Sequence, residues 1–390
     1  MSPRLFLIAG EPSGDRLGGA LLAGLRDLAP QVEVAGVGGP AMAAQGLATL
    51  FPQDDLAVMG IAEILPRLPL LMRRIRETAK AVAAFRPDAL IGIDSPDFCL
   101  RVAAKVRADN PRQRVVHYVA PSVWAWRPGR AVKMARVVDH VLALLPFEPP
   151  YMQAAGMTCD FVGHPAAAAP EATAAEIAAI RAEFGVAPGQ RLLVILPGSR
   201  HGEVTRLAPV FNETLARLRA ADPDLAAVVP VVAGTADLVA GLMPLQSGWP
   251  RLLDPRGRPE AEAESRKRAL MAAADAALAA SGTVSLELAA AGVPMVIAYR
   301  VNALSAAIAR RLIRIDTATL VNLVTETRLI PEFIQGDCTP ERIGPAVSRL
   351  LTDPAAAAAQ RAVAAEAMTL LGRGGEPPGL RAARSVLAHL

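Results

Sequence analysis

Cysteine is scarce in this chain: Cys99, Cys159 and Cys338 stand far apart in 390 residues, with no CxxC spacing. Such spacing suggests neither a zinc site nor a disulfide framework, and the three read as ordinary thiols in or near cores. Aromatics are equally thin at 4%. No basic recognition helix or stacking motif accompanies them, which makes nucleic acid the weakest choice of partner. No uninterrupted apolar run approaches the roughly 20 residues that span a bilayer. The apolar core of the opening MSPRLFLIAGEPSGD is too short for a signal peptide, so a cytoplasmic chain is expected. The GxGxxG fingerprint is missing too. GEPSGD departs from it, and GVGGP is not followed by a convincing long helix, so no NAD site is assigned.

What is present points to a well-buried globular protein. The chain is 52% hydrophobic, and its length exceeds one ordinary core, which implies two domains. A net charge of +4 admits anionic partners, including phosphorylated small molecules and a membrane surface.

Taken in order, the first half alternates strand and helix. Leu5 to Ala9 is an apolar strand, GEPSGD a glycine-bearing turn, and Leu17 to Leu28 a helix. Val32 to Val37, Asp88 to Ile93, Arg114 to Val119 and His140 to Leu145 supply further strands. That alternation predicts α/β domains with doubly wound parallel sheets. A hinge is expected at GHPAAAAP, Gly163 to Pro170. A second series follows, with strands Arg191 to Leu196, Ala226 to Val232, Ala276 to Ala279 and Met295 to Ala298, and a helix Glu203 to Ala220. The expected boundaries are 1–165 and 166–374, with a last helix at about 375–390. Clefts between such domains are favoured ligand sites.

Three stretches carry candidate chemistry. DALIGIDSPDF is a buried strand ending in Asp94, where ligands gather in open α/β sheets. Pro96 keeps Ser95 extended and lets Asp97 cap the next helix. Both aspartates as mere turn brackets is the competing interpretation. LPGSR places Gly198, Ser199 and Arg200 between a strand and a helix, where free amides and the dipole favour anions. A plain turn would look similar. SGTVSLE repeats the arrangement with Ser281, Gly282 and Thr283. Glu287 lies one turn deeper, placed to accept ribose hydroxyls, unless it is a surface glutamate.

The most unusual stretch is HYVAPSVWAWRPGR, His117 to Arg130, which holds two of the three tryptophans. Together with AGEPSGD, LAVMGIAEIL, GIDSPDF, LPFE, VGHP, LPGSR, ASGTVSLE and PMVIAYR, in that order, it resembles the lipid-A-disaccharide synthases over nearly the whole chain. The resemblance implies a GT-B glycosyltransferase: two Rossmann-like domains, the first for the acceptor and catalysis, the second for the UDP-sugar. The last helix would cross back onto the first domain. It also implies UDP-2,3-diacylglucosamine as donor, 2,3-diacylglucosamine 1-phosphate (lipid X) as acceptor, and inversion to a β(1→6) product.

From the resemblance, Glu11, Ser13 and Asp15, with Pro12 in place of the family threonine, join the acceptor site. Asn322 becomes a ligand contact, although Val321 replaces the family proline. Trp124, Trp126 and Arg127 either hold the acceptor or fill the core. Asp94 is the expected general base, with His117 as rival. No cofactor or metal is expected, since the lone Asp-x-Asp, Asp222-Pro223-Asp224, precedes a strand and reads as a turn. A UDP-sugar epimerase, or a non-catalytic nucleotide-sugar binder, would share the same loops.

In IAEILPRLPLLMRRIRE, Leu65, Leu68, Leu71, Met72 and Ile75 share one helical face, and Arg67, Arg73, Arg74 and Arg76 crowd the rest. This suits an interfacial helix or an ordinary helix packed on the sheet. The resemblance favours the first, with Pro66 and Pro69 in its opening turn or an irregular lead-in. Arg310, Arg311 and Arg314 would add attraction to anionic lipid. The expected location is the cytoplasmic face of the inner membrane, by peripheral attachment.

Overall fold

Each half of the chain builds its own parallel sheet, because short apolar runs buried on both faces alternate with helices that cover them. The computed structural model describes residues 2–56, 61–243, 249–302 and 315–390, with only the backbone for 61–66. It divides into two compact units, Met1–Ala168 with Leu371–Leu390, and Ala169–Leu370.

In the first unit the strands are β1 (Arg4–Ala9), β2 (Glu33–Val37), β3 (Ala89–Ile93), β4 (Arg114–Tyr118), β5 (His140–Ala143) and β6 (Thr158–Phe161). Their order is β2-β1-β3-β4-β5-β6. The direction of winding therefore reverses between β1 and β3, which leaves the exit loops of those strands side by side. Leu5, Leu7, Ile91 and Leu142 bury one face of the sheet against helix Pro12–Leu28 and the last helix, Pro378–Ala388. Gly24 and Gly379 let those two backbones meet: a Cβ on Gly24 would lie 2.7 Å from the Gly379 carbonyl oxygen.

The second unit has β7 (Leu192–Leu196), β8 (Ala226–Pro230), β9 (Arg251–Leu253), β10 (Ala276–Ala280), β11 (Met295–Tyr299) and β12 (Glu332–Ile334). Their order is β12-β11-β10-β7-β8-β9, which places the reversal between β7 and β10. Every ladder described in both sheets is parallel.

Several local expectations are corrected. GEPSGD is not a turn, since the first helix begins at Pro12, where a proline costs no hydrogen bond. Ser95, not Asp97, takes the N-cap position of helix Pro96–Asp109, and it is left-handed (φ +40°) rather than extended. Pro66 and Pro69 both lie well inside a 25-residue helix, Ile61–Phe85, past its first turn. The strands β6, β9 and β12 went unanticipated. All three lie at or next to a sheet edge and span only three or four residues, so they lack the continuous apolar run of a central strand.

Candidate active site

In the first unit, the exits of β1 and β3 bring Ser13 and Asp94 together. The Ser13 hydroxyl donates to Asp94 Oδ2 at 3.0 Å. Asp94 and Ser95 are both left-handed, at φ +53° and +40°, a conformation that costs non-glycine residues about 1–2 kcal/mol each. The Asp94 amide nevertheless donates to the Tyr118 carbonyl at 2.9 Å, holding the strand end in place. The Ser95 hydroxyl is buried and finds no hydrogen-bond partner among the described residues. Gly10 makes room for it, because a Cβ there would approach Ser95 Oγ to 2.7 Å. Strain is thus concentrated at one partly exposed carboxylate, at a switch point of the sheet. Asp97 is exposed in the first turn of the following helix.

The other residues expected around Asp94 divide. Asp15 is 4% exposed and accepts from the amides of Gly39, Ala41 and Met42 at 2.8, 2.8 and 3.0 Å. It therefore anchors helix Pro40–Ala44, with both carboxylate oxygens taken up by those amides. Glu11 supplies the N-cap position of the first helix, and its carbonyl accepts from Gln53. His117 is 2% exposed, and burial lowers its pKa to about 4. A neutral imidazole sealed inside the sheet cannot reach a substrate proton, so His117 is removed as the rival base.

Trp124 is half-buried, edge-on to Phe147 at 5.1 Å, and donates through Nε1 to Glu148 Oε1 at 3.2 Å. Trp126 is 37% exposed, with the Arg127 guanidinium 4.3 Å over its ring. Packing thus claims Trp124, and Trp126 with Arg127 remains presented to solvent. Glu148, the acid of LPFE, takes no role in the sequence reading. It is 3% exposed and also accepts from the amides of Leu144 and Leu145. Burial pushes it up to about 7, against those hydrogen bonds.

In the second unit, the exits of β7 and β10 open onto one cavity of about 650 Å³, within the range of small-molecule sites. Gly198, Ser199, Arg200, Ser281, Gly282, Thr283 and Glu287 all line it. The Ser199 and Arg200 amides are not free, however. Glu203 Oε2 accepts from Ser199 and Arg200 at 3.3 and 3.4 Å, and its Oε1 lies 3.2 Å from the Arg200 guanidinium. The Glu203 carboxylate thus folds back onto the start of its own helix. Arg200 keeps 64% of its side chain exposed and is the group there available to an anion.

Glu287 is paired with Lys267 at 2.6 Å, leaving its second carboxylate oxygen for another donor. Lys267 and its neighbour Arg266 line the same cavity. Sequence reasoning missed both, because ESRKR inside a helix reads as a solvated charged face. Asn322 is a correction. It is 1% exposed, its Nδ2 donates to Thr317 Oγ1, the Ile330 carbonyl and Glu332 Oε1, and its Oδ1 accepts from the Ile330 amide. With both ends of its amide engaged, it ties helix Leu320–Val324 to Thr317 and to the start of β12 rather than lining the cavity.

A family model described as lipid-A-disaccharide synthetase matches residues 5–376. The chain is 61% identical over 387 residues to the lipid-A-disaccharide synthase of Ruegeria pomeroyi, covering 99% of this chain and 95% of that one. It is 51% identical to the synthase of Rhodospirillum centenum, with the same coverage. The chain belongs to the lipid-A-disaccharide synthase family. Lipid-A-disaccharide synthases are glycosyltransferases, and the two Rossmann-like units are those of the GT-B fold.

Solved structures share this architecture at low identity. One is a UDP-GlcNAc 2-epimerase from Neisseria meningitidis bound to UDP-GlcNAc (TM-score 0.64, 11% identical, covering 100% of this chain and 99% of that one). Another is a UDP-GlcNAc 2-epimerase from Methanocaldococcus jannaschii in complex with UDP-GlcNAc and UDP (0.58, 14%, 100% and 99%).

The apolar stripe expected of this synthase at a membrane is divided by the fold. Leu68 and Met72 are 42% and 37% exposed, and Arg73 is exposed beside them. Leu71 packs against the core and Ile75 is buried within it. Arg74 is not free for lipid: it pairs with Asp55 at 2.5 Å and Glu77 at 2.7 Å, and lies 4.4 Å over the Phe51 ring. The side chain of Leu65, and Arg310, Arg311 and Arg314, lie outside the described residues. Among the described residues no helix is long and apolar enough to cross a membrane.

Proposed function

We propose that this synthase transfers the 2,3-diacylglucosaminyl group of UDP-2,3-diacylglucosamine to the 6-hydroxyl of 2,3-diacylglucosamine 1-phosphate, with inversion, releasing UDP. The reading rests on the convergence of the β7 and β10 exit loops on one cavity at a switch point, where nucleotides bind in doubly wound sheets. Arg200 neutralises the diphosphate, and the free oxygen of Glu287 accepts from the ribose. Asp94 takes the proton of the acceptor hydroxyl as its oxygen bonds to the anomeric carbon, while the electron pair of the breaking bond leaves with UDP. Its hydrogen bond from Ser13 aims that carboxylate. A positioned base of this kind contributes about 10²–10⁴-fold.

Neither cofactor nor metal takes part in this reading. Asp222 closes the helix His201–Ala221, pairs with Arg191 at 3.0 Å, and precedes β8, at the end of the sheet opposite the cavity. Leu68, Met72 and Arg73 rest in the headgroup region of the inner membrane's cytoplasmic face, where acylated substrates are found. The experiment is incubation of the chelator-treated protein with both sugars. UDP release that needs both, without added metal, supports the reading. Conversion of the UDP-sugar without the acceptor would make the protein an epimerase.

A further inference from the structure

The first unit carries a second cluster of chemistry-bearing side chains, on the sheet face covered by the last helix. In the ladder His140 pairs with Thr158 and Leu142 with Asp160. Alternation therefore puts His140 and Asp160 on one face as diagonal neighbours. Ser385 and His389, one helical turn apart at the end of the last helix, come down onto the same spot. His140 Nε2 lies 3.2 Å from Asp160 Oδ2, and His389 Nδ1 lies 3.9 Å from that same oxygen. The three donor atoms all fall within 4.8 Å of one another. The Ser385 hydroxyl donates to Asp160 at 2.6 Å.

We propose that His140, Asp160 and His389 bind a zinc-class divalent cation that clamps the last helix to β5 and β6. Two imidazoles and a carboxylate are a familiar ligand set for zinc, with water in the fourth position. Donors sharing a tetrahedral ion at about 2.1 Å sit about 3.4 Å apart, and the distances of 3.2 and 3.9 Å bracket that value. Ser385 acts as the outer partner that orients the carboxylate. His140 is fully buried. Asp160 and His389 keep 46% and 30% of their side chains exposed, which gives the ion a way in.

His389 Nδ1 now faces the Ser385 carbonyl at 2.9 Å. Capture of the ion moves the imidazole proton to Nε2 and exchanges that hydrogen bond for a metal bond. His140 opens its strand, whereas Asp94 follows the end of a parallel one. The clamp therefore belongs to the stability of the unit rather than to transfer.

The test uses the untagged full chain, stripped with EDTA and dialysed, then titrated with zinc chloride by calorimetry and thermal unfolding. Expected are saturable uptake of one zinc per chain, a raised unfolding temperature, and at least tenfold weaker binding in His389→Ala and Asp160→Asn. His201→Ala should bind zinc as the parent does. Absence of saturable uptake, or uptake by His389→Ala as tight as the parent's, overturns the proposal. His389 lies just past the end of helix Pro378–Ala388 and is partly exposed, so that variant keeps the test decisive if Asp160→Asn misfolds.

Discussion

Gly24→Ala and Gly241→Ala make the same chemical change inside helices, yet their surroundings give them opposite signs. In a helix interior alanine is favoured over glycine by about 0.8–1.0 kcal/mol. Gly241, in Ala236–Leu242, has nothing among the described residues within 4 Å of the added Cβ, so its substitution should stabilise by up to about 1 kcal/mol. At Gly24 the Cβ would meet the Gly379 carbonyl oxygen at 2.7 Å and the Leu380 Cα at 2.8 Å. These are backbone atoms, which no rotamer change can move aside. Overpacking of this kind costs about 1–3 kcal/mol. Set against the propensity gain, the net loss in Gly24→Ala should reach about 2 kcal/mol at most.

The loss should localise to the docking of the last helix. Amide exchange across residues 378–388 reports it directly, and a loss of about 2 kcal/mol corresponds to exchange roughly 30-fold faster. Unchanged exchange there, or a gain in stability matching that of Gly241→Ala, would refute the close-approach argument.

Asp94→Asn should keep the fold, because asparagine tolerates the left-handed backbone as aspartate does, and should lower turnover by roughly 10²-fold or more. Turnover near that of the parent would move the base elsewhere. Arg200→Ala and Glu287→Ala should each weaken UDP binding by roughly 1–3 kcal/mol, read by titration calorimetry; unchanged affinity in both would dissociate the cavity from the nucleotide. Replacing exposed Leu68 and Met72 with serine should abolish liposome sedimentation with UDP binding intact, and sedimentation like the parent's would refute the membrane contact. On acidification, His117 and His140 stay neutral in the folded chain while the unfolded chain takes up protons below about 6.5. Their pKa of about 4 makes each cost about 2 kcal/mol at pH 5. Glu148, raised to about 7, opposes this, since the folded state holds its proton between 7 and 4.5. Glu148→Gln should therefore lose more stability than the parent between pH 7 and pH 5 in denaturant titrations, and an equal or smaller loss would sink the assignment.

Much of the architecture was legible one strand at a time. Central strands such as Leu192–Leu196 are buried on both faces, so their sequences must be apolar throughout, and they announce themselves. That the LPGSR and SGT loops line a cavity was legible for a related reason, since a tight turn at a strand's carboxyl end calls for a glycine and small hydroxyls. Asp15 and Asn322 were misassigned because a polar residue that satisfies buried backbone has the same sequence signature as one that meets a ligand. The prolines of helix Ile61–Phe85 misled in the same way, because local propensity was overridden by the packing of Ile75, Ala79 and Val82.

The sequence by itself determined the class of fold, the family, the strand-end carboxylate and the two loops of the cavity. These are short-range properties, written in runs of a few residues. Tertiary structure alone decided which polar groups are already spoken for: Glu203 on the Ser199 and Arg200 amides, Lys267 on Glu287, Asp15 on the Gly39, Ala41 and Met42 amides. It alone joined His140 and Asp160 to His389, more than two hundred residues downstream. Hydrogen-bonding capacity is finite and is used by whichever group the fold brings within about 3 Å, and that proximity depends on how distant segments pack, which no local pattern records.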